Sequence, residues 1–364
     1  MTAQLQHIQT LLNSKKEQDT FVGLYLITKS IKPDNQEQVS QIFEFIPWTF
    51  LKRCLLNPSP EQSELKEIAL YIWTSFAEYT HLIQNQNMID LVPLLLPMVV
   101  LDESLYTRNY STLSSLSRLT QFPSGIHSLS SDAFLRTVIS LCQTKDESLN
   151  DASYHLLEAY VQNSFTLSNE FVRTICFAFH KNQDKSKFKM ARLLLLLSSN
   201  YHFSFLDEDS KKNLRMGLVD LFTSRLTTDH RDMAWMLLEL FLQETPEFLL
   251  GFTSTDKLND SQWLSLLFKL LATELALLMD KVTLKDERRN QMIPICIHVF
   301  HQLLNRLYEF ENGDPEIILG LRKTFKELFE CICQFLMEFY VRRSSHVHLI
   351  GIVCIKRRSS VFRK

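Results

Sequence analysis

Apolar residues recur at every third or fourth position along most of the chain. This spacing places them on one face of an α-helix. From Asp314 to Tyr340 charged residues such as Arg322 and Lys326 occupy the opposite face. The stretch therefore predicts a helix with one buried face, formed by Ile318, Leu321, Phe325, Leu328, Ile332, Leu336 and Phe339.

Other helical stretches differ in how much of their circumference is apolar. Gln62 to Leu82 repeats the one-sided pattern and predicts a helix with an exposed face. Thr20 to Ile31, Ala191 to Leu197 and Gln262 to Met279 are apolar nearly all round, so we expect other helices to cover both of their sides. Alternation of covered and half-exposed helices is typical of a two-layer helical repeat.

Sequence signals for helix starts occur between these helical stretches. A capping residue followed by proline occurs at Ser59-Pro60, Thr245-Pro246 and Asp314-Pro315. Between such signals the periodicity predicts fifteen to seventeen helices, with pairs at intervals of roughly 40 residues. Few stretches alternate with a period of two. We therefore predict an all-α fold, an α-solenoid of armadillo/HEAT-like helix pairs.

Composition supports a packed helical protein. Hydrophobic residues make up 45% of the 364 residues, whereas only 7 glycines and 10 prolines are present to form tight turns. A formal net charge of -2 creates no strong positive electrostatic field that would attract nucleic acid, so no nucleic-acid partner is expected. The seven cysteines are irregularly spaced within apolar surroundings, which indicates buried thiols in a reducing compartment.

Two features bear on targeting. The N-terminus lacks a basic segment followed by an apolar core, so we expect no secretory signal. The longest apolar run, Leu91 to Leu101, has 11 residues and contains two prolines, too few for a membrane span of roughly 20. We therefore predict no transmembrane segment and a cytoplasmic location, with a nuclear pool left open.

The chain changes character after Tyr340. Residues 341–364 contain seven Lys or Arg residues, no acidic residue and no helical periodicity. We predict a helical-repeat domain over 1–340 and a basic, disordered tail over 341–364. The tail's two basic runs are weak partner-binding candidates as kinase sites, as a nuclear import signal or as a peripheral membrane contact, and such runs also arise by chance. These candidates are Arg342, Arg343, Lys356, Arg357 and Arg358.

The tripeptide His230-Arg231-Asp232 matches the catalytic loop of protein kinases. The asparagine that should follow is missing, and no glycine-rich phosphate loop occurs in the chain. We interpret the tripeptide as a solvated helix start and predict that the protein is not an enzyme, without catalytic residues or cofactors.

Five thiol and imidazole residues raise the question of a zinc site. Residues two apart on a helix point about 200° away from each other, so neighbouring pairs in this set do not share an ion. His298 and His301 alone would face the same way. We predict no metal site among Cys296, His298, His301, Cys331 and Cys333.

Two segments fit the L-x-x-L-L pattern of helices that dock into receptor grooves. They are Leu91 to Leu95 and Leu267 to Leu271. A leucine-rich repeat protein produces this pattern by packing alone. We therefore predict that both segments belong to the core.

The order of three segments resembles the neurochondrin family. Asp19 to Leu56 is similar to the family's opening helix pair, with FVGLYLITK in place of an FxxLLLVTK-type helix. Glu67 to Leu96, which ends in IDLVPLLLP, resembles its NKIPILxxFL segment. Asp184 to Leu226 resembles its ASKFxxCxLLPLFL…GLxxILxSKL segment. The resemblance runs over about residues 18 to 340, and the chain looks like the N-terminal half of the longer family members.

The resemblance implies an atypical armadillo-like protein that acts as a cytosolic adaptor in signalling or membrane trafficking. In animals the family is associated with neurite outgrowth, regulation of a calmodulin-dependent kinase and receptor signalling. We therefore expect a non-catalytic scaffold whose helical surface binds other proteins. A transport receptor or assembly chaperone is the alternative, and an enzyme of unknown class is the remote one.

Overall fold

A computed structural model describes residues 3–14, 16–30, 36–56, 63–101, 106–253, 258–279, 287–309, 321, 323–330, 332–334 and 336–337. The predicted tail 341–364 and the start signals Ser59-Pro60 and Asp314-Pro315 lie outside these residues. The chain divides into two compact units, Met1–Leu214 and Arg215–Lys364, each of which is described by itself.

The described part of the first unit is built from helices joined by short connections. In chain order they are α1 (Ala3–Leu12), α2 (Glu17–Ser30), α3 (Gln36–Phe45), α4 (Trp48–Leu56), α5 (Ser63–Ala77), α6 (Thr80–Ile83), α7 (Gln86–Leu101), α8 (Tyr106–Leu119), α9 (Pro123–Leu129), α10 (Asp132–Leu141), α11 (Glu147–Asn163), α12 (Asn169–Lys181) and α13 (Lys185–Leu197). The division between the units falls inside α14 (Glu208–Thr223).

The helices of the first unit form two layers. In one layer α2, α5, α8, α11 and α13 lie side by side, each packed on the next. In the other layer α4, α7, α10 and α12 do the same. Pairs such as α4–α5, α10–α11 and α12–α13 join the layers. This arrangement, with no strand among the described residues, confirms the predicted all-α armadillo/HEAT-like fold class.

Hydrogen bonds between neighbouring repeats join residues about one repeat apart in sequence. Arg118 donates to the Ala77 carbonyl 41 positions earlier, and Asn200 donates to the Val161 carbonyl 39 positions earlier. The predicted interval of roughly 40 residues agrees with these separations. Between residues 36 and 163 a short helix, α3, α6 or α9, precedes each helix pair, which the sequence pattern did not reveal.

Side-chain caps fix several helix starts in the first unit. Asp146, Ser168 and Asp184 each accept a hydrogen bond from a backbone N–H in the first turn of α11, α12 and α13. These bonds satisfy donors that the helix itself leaves unpaired. Thr245 and Pro246 begin a helical segment, as predicted, but it is only the 3-10 turn Pro246–Leu249. The Thr245 hydroxyl does not cap it and donates instead to the Phe241 carbonyl.

Two other helix predictions also need correction. Gln62 to Leu82 is interrupted, since Tyr79 is extended between α5 and α6. α2 is not covered on both sides, because Val22 and Tyr25 are 45% and 48% exposed. An apolar residue in a helix therefore did not always indicate a covered position.

The second unit contains α15 (Thr228–Glu244), α16 (Asp260–Met279) and α17 (Glu287–Glu309), together with helical residues 323–330, 332–334 and 336–337. α17 packs against both α15 and α16. Aromatic rings fill the interior, with centroids 4.8 Å apart for Phe268–Phe325 and 4.6 Å for Phe222–Trp235. Tilted and edge-on ring pairs of this kind stabilise a core beyond the area they bury.

Among the described residues, α16 has the length and apolar composition that a membrane-crossing helix would need. Half of its most apolar window is buried within the protein. Trp263, Leu267 and Leu271 are each fully buried. The core helix of a packed protein can have the same length and composition. These two properties therefore do not show that α16 crosses a membrane.

Candidate interaction surface

The layer formed by α2, α5, α8, α11 and α13 has one uncovered side, here called the ladder surface. α5, α8, α11 and α13 each pack on their layer neighbours and on helices of the other layer, whereas α2 packs on α1 and α5. The exposed and half-buried residues of these five helices make up the ladder surface. The ladder surface includes Gln18, Val22, Tyr25, Lys29, Tyr71, Tyr110, Asp151, His155, Lys185, Lys189 and Arg192.

A row of tyrosines crosses the first three helices of the ladder surface. Tyr25 on α2, Tyr71 on α5 and Tyr110 on α8 are 48%, 47% and 49% exposed. The Lys29 ammonium lies 5.6 Å from the Tyr25 ring centre. Exposed tyrosines offer a large rigid apolar area with a polar tip, which makes them frequent anchors at protein interfaces.

Ion pairs dominate the other end of the ladder surface. Lys185 on α13 lies 3.3 Å from Glu147 on α11, and Lys189 lies 2.5 Å from Asp151. Arg192 adds a third pair, 3.5 Å from Glu158. Because most of these groups are well exposed, each pair adds little stability. Their effect is to leave this end polar, with the charges of both signs interleaved.

A buried amide fixes α11 against α13 beneath these pairs. Asn150 donates to the Cys142 carbonyl at 2.5 Å and to the Ser186 hydroxyl at 3.3 Å, and it accepts from Lys189 at 2.5 Å. Burial, followed by the nearby Glu158 carboxylate, raises the pKa of the Tyr154 phenol. The α11–α13 contact is therefore held by a satisfied polar network.

The kinase-like tripeptide lies in a different setting from the one predicted. Arg288 on α17 donates two hydrogen bonds to Asp232, at 2.6 and 2.7 Å, and a third to Glu274 at 2.6 Å. Arg231 forms a 3.3 Å ion pair with Glu274, whose side chain is 4% exposed. The tripeptide lies at the start of α15, as predicted. The prediction that it is solvated is wrong, because Arg231 contacts a buried acid on α16.

This network joins α15, α16 and α17 through opposite charges. The hydrogen bond with Asp232 contributes most to raising the pKa of the Arg288 guanidinium. A carboxylate engaged by a bidentate arginine is not free to orient a substrate hydroxyl. The structure therefore gives Asp232 and Glu274 a role in joining helices.

The structure separates the residues considered for zinc. Cys296 is fully buried, and burial raises the pKa of its thiol to about 12. His298 lies 2.8 Å from Glu239, whereas His301 and Cys333 are exposed. Cys331 lies outside the described residues. Within the part of the chain that the structure describes, no three His, Cys, Asp or Glu residues group closely enough to hold a metal.

Three groups of sequence candidates remain: the L-x-x-L-L segments, the other cysteines and the basic residues of the tail. The outer leucines of both L-x-x-L-L segments, Leu91, Leu95, Leu267 and Leu271, are buried, which confirms the prediction that they belong to the core. Cys54, Cys142 and Cys176 are also buried, as predicted, but Cys333 is exposed. Arg342, Arg343, Lys356, Arg357 and Arg358 lie outside the described residues.

Sequence reasoning missed the tyrosine row. The three tyrosines are 46 and 39 residues apart, close to the repeat interval, and this spacing was a usable signal. Periodicity placed Tyr25 in a helix covered on both sides and made no prediction for Tyr71 or Tyr110. Glu274 was missed for a different reason, since it is one of only two charged residues in the apolar stretch Gln262 to Met279 and nothing in the sequence showed that two arginines would contact it.

A sequence model described as Neurochondrin matches residues 1–350. No curated protein sequence matches the chain. Among solved structures, an engineered protein has a TM-score of 0.49 at 14% identity, covering 89% of this chain and 82% of its own.

Two further solved structures have lower scores. A designed armadillo repeat protein in complex with the peptide (KR)4 has a TM-score of 0.40 at 16% identity, covering 66% of this chain and 100% of its own. A mutant of Kap121p has a TM-score of 0.42 at 12% identity, covering 93% of this chain and 38% of its own.

Proposed function

Because the chain belongs to the neurochondrin family, we propose that it is a non-catalytic scaffold that binds other proteins through the ladder surface. The observation that carries this proposal is the tyrosine row, in which Tyr25, Tyr71 and Tyr110 stand exposed on three successive helices of one layer. A side-by-side row of helices offers one continuous surface over several repeats, and exposed aromatic residues supply the binding anchors.

Family membership supports a finer proposal, a cytoplasmic protein that acts in signalling or membrane trafficking. Its partners are proteins, with peripheral membrane contact through the basic runs near Arg342 and Lys356 as part of the proposal. The interleaved charges at the α11–α13 end of the ladder surface support a protein partner, because a nucleic acid favours a surface of one positive sign.

Affinity purification with matched variants tests this function. The intact chain is compared with a triple variant, Tyr25→Ser, Tyr71→Ser and Tyr110→Ser, and with Phe177→Ser. Phe177 is 51% exposed on α12 in the other layer, so it controls for loss of any exposed aromatic ring. Circular dichroism establishes that all three forms are folded.

We expect a set of proteins that the intact chain and the Phe177 variant retain and the triple variant loses. Removing aromatic anchors from an interface typically costs 2 kcal/mol or more each, on the order of thirtyfold in affinity. Equal retention by the triple variant would contradict the ladder surface as the binding site. If no protein is enriched by the intact chain, the scaffold function itself fails.

A further inference from the structure

Two chain reversals from successive repeats lie side by side in the first unit. In the first, α5 ends at Ala77, Tyr79 is extended, and α6 follows. In the second, α8 ends at Leu119, and Phe122 is extended before α9 begins. Arg118 donates a 3.4 Å hydrogen bond to the Ala77 carbonyl. The two reversals are therefore in contact.

A cleft with a volume of about 300 Å³ opens between these reversals. Its lining combines apolar side chains, uncharged polar side chains, one cation and one anion. Pockets for small molecules have volumes of roughly 300–1,000 Å³. The cleft lies at the lower end of this range, so it suits a ligand about as large as a single amino acid.

Part of the lining is apolar. Ala77 and Ile83 are buried, and the Phe122 ring is half-buried. An apolar group that contacts these side chains leaves water, which favours binding. The Thr80 and Gln121 side chains add a hydroxyl and an amide to the same cleft. The cleft therefore offers an apolar surface beside polar groups that can orient a ligand.

Two opposite charges line the cleft without pairing with each other. Arg118 and Glu78 are both exposed. Among the described residues, Arg118 forms no hydrogen bond besides the long one to Ala77, and Glu78 has no hydrogen-bond or ion-pair partner. By contrast, Arg173 and Asp207 pair at 3.0 Å. The guanidinium and the carboxylate in the cleft are therefore both available to a ligand.

These charges limit the chemistry of the ligand. A ligand with only a carboxylate would be repelled by Glu78, and one with only an ammonium would be repelled by Arg118. An α-amino acid carries both groups on one carbon atom, together with a side chain. A guanidinium binds a carboxylate through two parallel N–H donors, and charged hydrogen bonds of this kind are stronger than neutral ones.

We propose that the cleft binds a free α-amino acid with an apolar side chain. Arg118 binds its carboxylate, Glu78 binds its ammonium, and its side chain packs against Phe122. The proposal goes beyond the protein-binding function, since it assigns the first unit a small-molecule site. The bound amino acid would contact both chain reversals and so connect two successive repeats.

A titration of the full chain with L-phenylalanine tests the proposal, with ligand-observed NMR as the measurement of Kd. Three analogues each lack one recognised group. N-acetyl-L-phenylalanine lacks the ammonium, L-phenylalaninamide lacks the carboxylate, and glycine lacks the side chain. All four compounds are compared at one fixed pH and salt concentration.

We expect L-phenylalanine to bind saturably, with a Kd on the order of 1 mM because the cleft is open and its charges are exposed. Each analogue that lacks one charge should bind at least about fivefold more weakly, since a charged hydrogen bond is lost. Glycine should also bind at least about fivefold more weakly, because it leaves the apolar lining in contact with water.

Two variants of the protein remove one charge each. Glu78→Gln and Arg118→Gln should each weaken L-phenylalanine binding about tenfold. Both side chains are exposed, so the variants should fold, which circular dichroism establishes. The matched controls are Glu147→Gln and Arg192→Gln, which remove exposed charges on α11 and α13 and should leave the Kd unchanged.

Four results would overturn the proposal: no saturable binding of L-phenylalanine, equal binding of either analogue that lacks a charge, equal binding of glycine, or an unchanged Kd in the Glu78 and Arg118 variants. The triple tyrosine variant separates this test from that of the proposed function. It should bind L-phenylalanine normally, because none of its substitutions lines the cleft.

Discussion

Gly125 in α9 shows how a single residue type is dictated by a helix crossing. A Cβ atom at this position would lie 2.1 Å from the Leu119 carbonyl oxygen at the end of α8. That oxygen belongs to the backbone, so no side-chain rotation relieves the clash. The chain can make this turn only with glycine.

Gly125→Ala should therefore lower the free energy of unfolding by about 1–3 kcal/mol, the range for an overpacked site. Chemical denaturation measures the change. Ser124→Ala is the control, because Ser124 is exposed on the same turn and should change stability by less than about 0.5 kcal/mol. A Gly125→Ala variant as stable as the control would contradict the close approach of α9 to α8.

Two buried thiols make stability depend on alkaline pH. Burial raises the pKa of both Cys142 and Cys296 from 9.0 to about 12. As the pH rises, these thiols therefore lose their protons at a lower pH in the unfolded chain than in the folded protein. Their contribution to stability is present in full below pH 9 and is lost as the pH rises toward 12.

The double variant Cys142→Ala, Cys296→Ala should consequently lose less stability than the unchanged protein between pH 7.5 and pH 10. The expected difference is about 1.4 kcal/mol per thiol at pH 10. Denaturation at the two pH values measures it. Parallel losses in both proteins would show that the thiols ionise freely in the folded state.

At the scale of helices, the charge network around Glu274 holds α15, α16 and α17 together. Its carboxylate receives Arg288 from α17 at 2.6 Å and Arg231 from α15 at 3.3 Å, with almost no exposure to water. Removing one partner of a buried ion pair leaves the remaining charge without compensation, which is more costly than losing a surface pair.

Glu274→Gln should lower the free energy of unfolding by roughly 1–2 kcal/mol, because Arg231 loses its ion pair while Arg288 keeps its pair with Asp232. The matched control is Glu327→Gln, which removes the exposed pair with Lys323 at 3.9 Å and should change stability by less than about 0.5 kcal/mol. Urea titration of both variants provides the comparison. Equal effects would indicate that water reaches Glu274.

The positions of the helices in the sequence were largely predictable. Which side of each helix is covered by neighbouring helices was not. Stretches that are apolar nearly all round located the C-terminal half of α13 and most of α16, because a helix covered on both sides has little polar surface. The same rule placed Tyr25 in the core, since it cannot distinguish an apolar residue facing a neighbouring helix from one facing solvent. Which side of α2 stays uncovered depends on α1 and α5, which lie elsewhere in the sequence.

At the scale of the whole molecule, the family and the repeat interval were predictable because order and spacing are properties of the sequence. The candidate binding surface was not. The tyrosine row combines residues from several repeats, and its alignment depends on how the helices pack within the first unit.

The central claim is that the ladder surface binds proteins, and site-specific photo-crosslinking tests it most directly. A photoreactive phenylalanine analogue is placed in cells at Tyr25, Tyr71 or Tyr110 in turn, with Phe177 in the other layer as the control position. We predict light-dependent crosslinks to the same partner proteins from the three ladder positions and none of these from Phe177. Crosslinks from Phe177 alone, or from no position, would contradict the account.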